Sequence, residues 1–223
     1  TTWRKIVNGI PPNKNIISMT RHPSGILFAS SANGGVLRSL DSGESWQLTP
    51  STQLGIVKCL FAKSNGFIFA VTQSNGLFRS SNSGYTWSQL YYDYDINSIT
   101  ESASGNLFVN RESTIYKSTN DGISWQHLTW MMYDDILASD NFNTVYIAGI
   151  SYIYRSFDQG NNWQSILWGN NYNSLQVTSD SIIFVGMTGY DAIKRSTNYG
   201  ASFSYYSMYG KNVQKLFLLG DQY

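Results

Sequence analysis

A chain of 223 residues that is 42% hydrophobic and 15% aromatic can fill one sizeable core, which excludes a disordered reading. Only 13% of its residues are charged and the formal net charge is +1, so no strong field exists to gather a nucleic-acid backbone or an anionic membrane surface. No apolar run approaches the roughly 18 residues of a membrane-spanning helix. The single cysteine, Cys59, excludes an internal disulfide and an all-cysteine metal site.

The chain opens at Thr1 on TTWRKI, without initiator Met or signal peptide, and so reads as a processed or excised piece. TTWRKI aligns with SWQLT and TWSQL further on, so Trp3 reads as the end of a motif whose first half is absent. That motif then occurs five times: SLDSGESW (39–46), SSNSGYTW (80–87), STNDGISW (118–125), SFDQGNNW (156–163) and STNYGASF (196–203). Its glycines, Gly43, Gly84, Gly122, Gly160 and Gly200, are spaced 41, 38, 38 and 40 residues apart, the period of a propeller blade. In the second repeat, IVKCLFA (56–62), FIFAVT (67–72), LFRS (77–80) and TWSQL (86–90) supply strands A, B, C and D. Cys59 lies in the first of these and reads as a buried small hydrophobe. Hardly any segment has helical periodicity. The last stretch, NVQKLFLLGDQY (212–223), resembles a strand A that stops where strand B should begin.

The predicted fold is therefore an all-β propeller of four-stranded antiparallel blades in a single domain over 1–223, with five complete repeats and partial strands at both ends. Exposed sheet edges invite aggregation, so a six- or seven-bladed parent ring is expected. A ring closed by this chain alone, its terminal strands sharing a blade, is the alternative.

The repeated motif belongs at the turn from strand C to strand D. Glycine there can take a positive φ, and the Asp or Asn (Asp41, Asn82, Asn120, Asp158, Asn198) can accept backbone N–H bonds across the turn. The aromatic three positions on (Trp46, Trp87, Trp125, Trp163, Phe203) starts strand D and packs against the neighbouring sheet. A basic residue precedes the serine in every copy: Arg38, Arg79, Lys117, Arg155 and Arg195. Recurrence in every copy points to a scaffold role over a substrate role.

These stretches resemble Asp-boxes, the S-x-D-x-G-x-x-W repeats of bacterial neuraminidases. The same repeats occur in other β-propellers, among them xyloglucan-cleaving hydrolases, sortilin-type receptors and photosystem assembly factors. The resemblance covers almost the whole chain and departs from the pattern at Asn82, Asn120, Asn198 and Phe203. It implies the propeller architecture and places the boxes away from any reaction site, while leaving the activity open.

In a propeller the D-to-A and B-to-C connections share one face, opposite the boxes. Four successive D-to-A connections, YYDYD (91–95), WMMYDD (130–135), WGNNYN (168–173) and YYSMYG (205–210), set Tyr or Trp beside Asp or Asn; the earlier GIPPN and PSTQL do not. The candidate ligand-binding residues are Tyr91, Tyr92, Tyr94, Trp130, Tyr133, Trp168, Tyr172, Tyr205, Tyr206 and Tyr209. Such a rim suits a glycan, whose C–H faces stack on rings, or a protein partner. The third reading is that the rings fill space between blades.

An enzyme is the rival. Sialidase chemistry needs an arginine cluster, yet only Arg4, Arg21 and Arg111 remain once the box residues are set aside, and Arg111 alone maps to the binding face, beside Glu112. Glu44 lies in a box and Glu101 on a strand A. A hydrolase of neutral polysaccharide needs only two carboxylates about 5–10 Å apart, for which Asp93, Asp95, Asp134 and Asp135 are the candidates. His22 and His127 lack neighbours at metal-ligand spacing, so no metal and no cofactor is expected. The sequence is thus read as a secreted or surface-exposed, non-catalytic binding or assembly module for a glycan or protein, without nucleic-acid binding or membrane insertion. The alternative is a fragment of a glycoside hydrolase.

Overall fold

The structure is a computed structural model and describes residues 8–12, 15–91, 96–130, 136–169, 172–188, 193–206, 213 and 216, with the backbone but not the side chain of Trp130. The strands fall into five sheets, each a four-stranded antiparallel meander in sequence order. The first holds β1 (Ile16–Arg21), β2 (Leu27–Ser31), β3 (Val36–Ser39) and β4 (Gln47–Leu48). The second holds β5 (Val57–Ala62), β6 (Ile68–Thr72), β7 (Leu77–Ser80) and β8 (Ser88–Tyr91), and a 3₁₀ turn at Thr52–Leu54 precedes it. In the third are β9 (Ile96–Glu101), β10 (Leu107–Arg111), β11 (Thr114–Ser118) and β12 (Gln126–Trp130). The fourth comprises β13 (Ile136–Ser139), β14 (Val145–Ala148), β15 (Tyr152–Ser156) and β16 (Gln164–Trp168). The fifth comprises β17 (Tyr172–Val177), β18 (Ile183–Met187), β19 (Ile193–Ser196) and β20 (Ser204–Tyr206). The strands predicted for the second repeat thus form, each within a residue or two of its expected bounds.

The second strand of each sheet is largely buried, and in β6 and β14 it is buried on both faces, so IFAVT and VYIA read as near-continuous apolar runs instead of alternations. The chain divides into two compact units, Thr1–Asn97 and Ser98–Tyr223. In the first, Phe28 and Val36 of one blade pack with Leu60, Ile68 and Ala70 of the next, and Trp87 closes the same cluster. In the second, Phe108 and Ile115 meet Leu137, Val145 and Ile147, while Tyr146, Ala148 and Ile153 meet Tyr172, Leu175, Ile183 and Val185.

Side-chain hydroxyls on the first strand of a blade bond the backbone of the first strand of the next. The Leu60 N–H donates to Ser18 Oγ at 3.0 Å, the Ala62 N–H to Thr20 Oγ1 at 3.1 Å, and the Leu137 N–H to Ser98 Oγ at 3.0 Å. The Leu216 N–H donates to Ser174 Oγ at 2.9 Å, so Leu216 takes the position expected for a strand A. Register shifts recur at Ile16/Ser18, Val57/Cys59 and Tyr172/Ser174. The one at Cys59 leaves that residue half-buried, where the apolar pattern predicted full burial. Residues 1–7, including Trp3, lie outside the described residues.

All five Asp-boxes occupy C-to-D turns, and each closes by the same bonds. Ser39 Oγ donates to Asp41 Oδ1 at 2.7 Å and accepts the Gly43 N–H at 2.8 Å, while Asp41 Oδ1 accepts the Ser45 N–H at 2.8 Å. Where Asn replaces the acid the outer bond reverses: Asp41 accepts from the Ser45 hydroxyl, whereas Asn82, Asn120 and Asn198 donate Nδ2–H to the hydroxyls of Thr86, Ser124 and Ser202. The positive φ extends one residue further back than predicted. Ser42, Ser83, Asp121, Gln159 and Tyr199, each just before the box glycine, are also left-handed, with φ of 54–60°.

The box aromatics lie one residue ahead of strand D. Trp46 and Trp87 are buried, and Trp125, Trp163 and Phe203 are half-buried. Trp46 and Trp163 each donate Nε1–H to the carbonyl of their own box glycine, at 3.1 and 3.0 Å. Three of the basic residues clip onto the next box. Arg38 lies over the Tyr85 ring and bonds its hydroxyl, the Lys117 ammonium reaches the Gln159 carbonyl, and Arg155 donates to the Tyr199 carbonyl. These contacts join Arg38, Lys117 and Arg155 to the following blade, as a scaffold role would require.

Candidate functional site

The faces of the blades sort by turn type within each unit. In the first, the B-to-C turns meet the D-to-A connection: the Gly35 N–H donates to the Gly55 carbonyl at 3.2 Å, and Asn75 Nδ2 to the Gln53 carbonyl at 3.2 Å. In the second, the Gly169 N–H donates to the Ser151 carbonyl at 3.0 Å, again joining D-to-A with B-to-C. The boxes lie with the A-to-B turns instead. Gln159, inside a box, accepts from Ser102 Oγ and Asn106 Nδ2 at 3.0 Å each and donates to the Asn143 carbonyl at 2.9 Å.

That box-side face also holds a buried acid that the sequence did not single out. Asp140 is buried, and its carboxylate accepts the Phe142 and Thr144 N–H groups at 2.8 and 2.9 Å, the Tyr146 hydroxyl at 3.2 Å and the Ser181 hydroxyl at 2.6 Å. Burial and the neighbouring Asp140 charge raise the Tyr146 phenol well above its ordinary value. Here a carboxylate ties the fourth blade to the fifth, a structural role. His22 is likewise held in place, its ring nitrogens 2.6 Å from Ser24 Oγ and 2.9 Å from the Gly66 carbonyl. His127 meets Tyr116 edge-on at 5.8 Å.

On the opposite face, strand D delivers the predicted aromatics at its C-terminal end. Trp168 ends β16, is 72% exposed, and is paired in the ladder with Tyr152, which is 42% exposed. Tyr152 and Tyr154 follow one another on the same side of β15 with ring centroids 5.8 Å apart. Tyr205 and Tyr206 on β20 are exposed, and Tyr91 at the end of β8 is just exposed. Tyr172 differs: it opens β17 inside the core cluster and is only 7% exposed. Tyr92, Asp93, Tyr94, Asp95, Tyr133, Asp134, Asp135 and Tyr209 lie outside the described residues, as does the side chain of Trp130.

Two side chains not singled out from the sequence join this group. Tyr152 adds a ring beside Trp168. Lys194, on β19, is 5% exposed, and its ammonium sits 4.9 Å from the centroid of the Tyr205 ring, its ladder partner. Neither carries a motif; only the pairing of strands reveals them. Arg111 and Glu112 are 4.0 Å apart, and the Arg111 guanidinium also lies 5.7 Å from the Tyr116 ring centroid. Among the described residues no group of three His, Cys, Asp or Glu is placed to hold a metal ion. No described helix is long and apolar enough to cross a membrane.

Five four-stranded antiparallel meanders, stacked face to face within each unit and each closed by a box turn, decide the architecture. The chain is a β-propeller. No family model matches it, and no curated protein is similar in sequence. Solved structures are similar in fold. A GH74 enzyme from Niastella koreensis matches with a TM-score of 0.72 at 16% identity, over 85% of this chain and 38% of that one. YCF48 bound to D1 peptide matches with a TM-score of 0.66 at 16% identity, over 91% of this chain and 69% of that one. The extracellular domain of the hybrid two-component system BT4673 from B. thetaiotaomicron matches with a TM-score of 0.69 at 13% identity, over 91% of this chain and 29% of that one. This propeller thus spans well under two thirds of the GH74 enzyme and of the BT4673 domain, and is similar in fold to all three structures.

Proposed function

We propose that this propeller is a non-catalytic, extracytoplasmic binding or assembly module whose aromatic D-strand ends contact a glycan or a protein. The observation that carries the reading is the exposure of Trp168. An indole is among the costliest side chains to leave in water, and here it stands beside the exposed Tyr152 with Tyr205 and Tyr206 on the next blade. An exposed ring cannot be filling space between blades, so the packing explanation does not account for it. The extracellular setting of the BT4673 domain and the peptide bound to YCF48 are consistent with this role.

Trp168→Ala tests it. Loss of an exposed platform should weaken retention on immobilised polysaccharide, or capture of a protein partner, while changing stability by about 1 kcal/mol or less. A large fall in melting temperature with unchanged retention would show a structural wedge instead. Replacing Asp93, Asp95, Asp134 and Asp135 with Asn, with release of reducing ends measured beside retention, addresses hydrolysis. Release by the native protein that vanishes in these variants would overturn the non-catalytic assignment.

A further inference from the structure

We propose that the aromatic face of the fourth blade, formed by Tyr152, Tyr154 and Trp168, docks an uncharged proline-rich segment of a protein partner in its extended polyproline II form. The inference rests on the protein form of the binding role above and narrows it to a chemical class. Tyr152 and Trp168 are exposed and Tyr154 is half-buried, so the ligand lies on a surface and no cavity has to open.

The strand ladder sets the three rings. Tyr152 and Tyr154 are two positions apart on β15 and share one side of it, and Trp168 on β16 is the ladder partner of Tyr152. The position opposite Tyr154 holds only Ser165, which is exposed, so the rings border a hollow instead of forming a closed ridge. The two tyrosine rings have centroids 5.8 Å apart and are inclined at 35° to each other. Both values bear on the ligand. A flat sugar ribbon stacks best on rings that share a plane, whereas inclined rings leave a notch that receives a ridge. A polyproline II helix has three residues per turn and rests on a surface through two of its three rows, so residues two apart both touch that surface about 6 Å from each other along the axis. That advance matches the separation of the rings.

Charge complementarity selects the same ligand. Arg155 is the one charged residue of β15 and β16, and it turns to the fifth blade, where it donates to the Tyr199 carbonyl. Tyr152, Tyr154, Ser165 and Trp168 are all neutral, so their face suits an uncharged segment and offers no counter-charge to an acidic or basic one. An indole N–H only donates, and a phenol donates as well as accepts. Proline carries no N–H and a polyproline II backbone makes no internal hydrogen bonds, so a run of prolines presents carbonyl acceptors alone. Its preformed backbone also has little freedom left to lose on docking, and aromatic-lined grooves recognise such segments for that reason.

The test measures binding of the full chain to acetylated, amidated decaproline by calorimetry, beside a glycine–serine peptide of equal length and cellohexaose. Decaproline is expected to bind at least about tenfold more tightly than the glycine–serine peptide, with an affinity that salt does not change. Trp168→Ala and Tyr152→Ala should each weaken it about tenfold while melting close to the native protein, since both rings are exposed. Phe157→Ser, which removes an exposed ring in a box turn on the opposite face, should leave the affinity unchanged; an equal loss there would overturn the inference as general stickiness. Equal affinity for the two peptides, loss of binding in salt, or an unaffected Trp168→Ala also overturns it. Binding of cellohexaose but not of decaproline, abolished in Trp168→Ala, overturns it and gives the rim to a glycan. Failure of both ligands overturns it as well, while the broader binding role stands or falls on the retention and capture measured with Trp168→Ala above.

Discussion

Asp41 and Asp158 are the two boxes' acids, and each is held below the usual carboxylate range by donors in its own turn. The Ser45 hydroxyl and N–H, then the Ser39 hydroxyl, bring Asp41 to about 2; the Asn162 N–H and side-chain amide, then the Ser156 hydroxyl, lower Asp158. A folded value below the unfolded one means that the stabilisation is complete above the ordinary value of 3.8 and is lost as pH falls towards 2. Asp41→Asn should therefore melt close to the native protein at pH 7, since Asn120 with Ser124 and Asn198 with Ser202 already close their boxes in that form. In melts between pH 4 and pH 2 the variant should lose less than the native protein. Equal acid sensitivity would show that Asp41 does not titrate in that window. The box acid and glycine were legible because they recur at fixed offsets. The left-handed residue before each glycine was not, because Ser, Asp, Gln and Tyr share no side-chain property that announces a positive φ.

The box turns at Gly84, Gly160 and Gly200 bring their backbone close to the preceding blade. Gly160 has φ of 86°, and a Cβ there would fall 2.4 Å from Leu128 Cδ1 and 3.3 Å from Phe108 Cε1. Gly25, in an A-to-B turn, has φ of 92° with nothing within 4 Å of its absent Cβ. Comparing Gly160→Ala with Gly25→Ala thus separates crowding from backbone conformation. Gly25→Ala should cost about 1 kcal/mol, and Gly160→Ala about 2–3 kcal/mol, read from urea midpoints. Equal losses would mean that the blades yield to the added methyl. At this scale the strands were legible from their β-branched and aromatic runs. The hydroxyl rungs at Ser18, Ser98 and Ser174 were not, since each is defined by a backbone N–H 39–42 residues away and a lone serine in a strand carries no sign of it. The same limit applied to Lys194 and Tyr152, which join the rim only through their ladder partners.

For the molecule as a whole, the five boxes fill their polar positions with hydroxyls, amides, carboxylates and backbone groups of their own turns. Such turns need no cation, so chelator should leave the melting temperature unchanged; a drop of several degrees on adding it would reveal an ion that holds the fold. Architecture was legible because one unit of sequence is written five times, whereas a binding rim is written once per connection and differs each time. One consequence of the interchangeable boxes concerns chemical ageing. Asparagine in turns slowly loses its side-chain amide to water and becomes aspartate, a change that breaks many structures by turning a donor into an acceptor. Here Thr86, Ser124 and Ser202 need only rotate a hydroxyl to donate where they had accepted, reproducing the bond that Ser45 makes to Asp41. Where the product is aspartate at Asn82, Asn120 or Asn198, the turn's outer bond would be kept with its direction reversed.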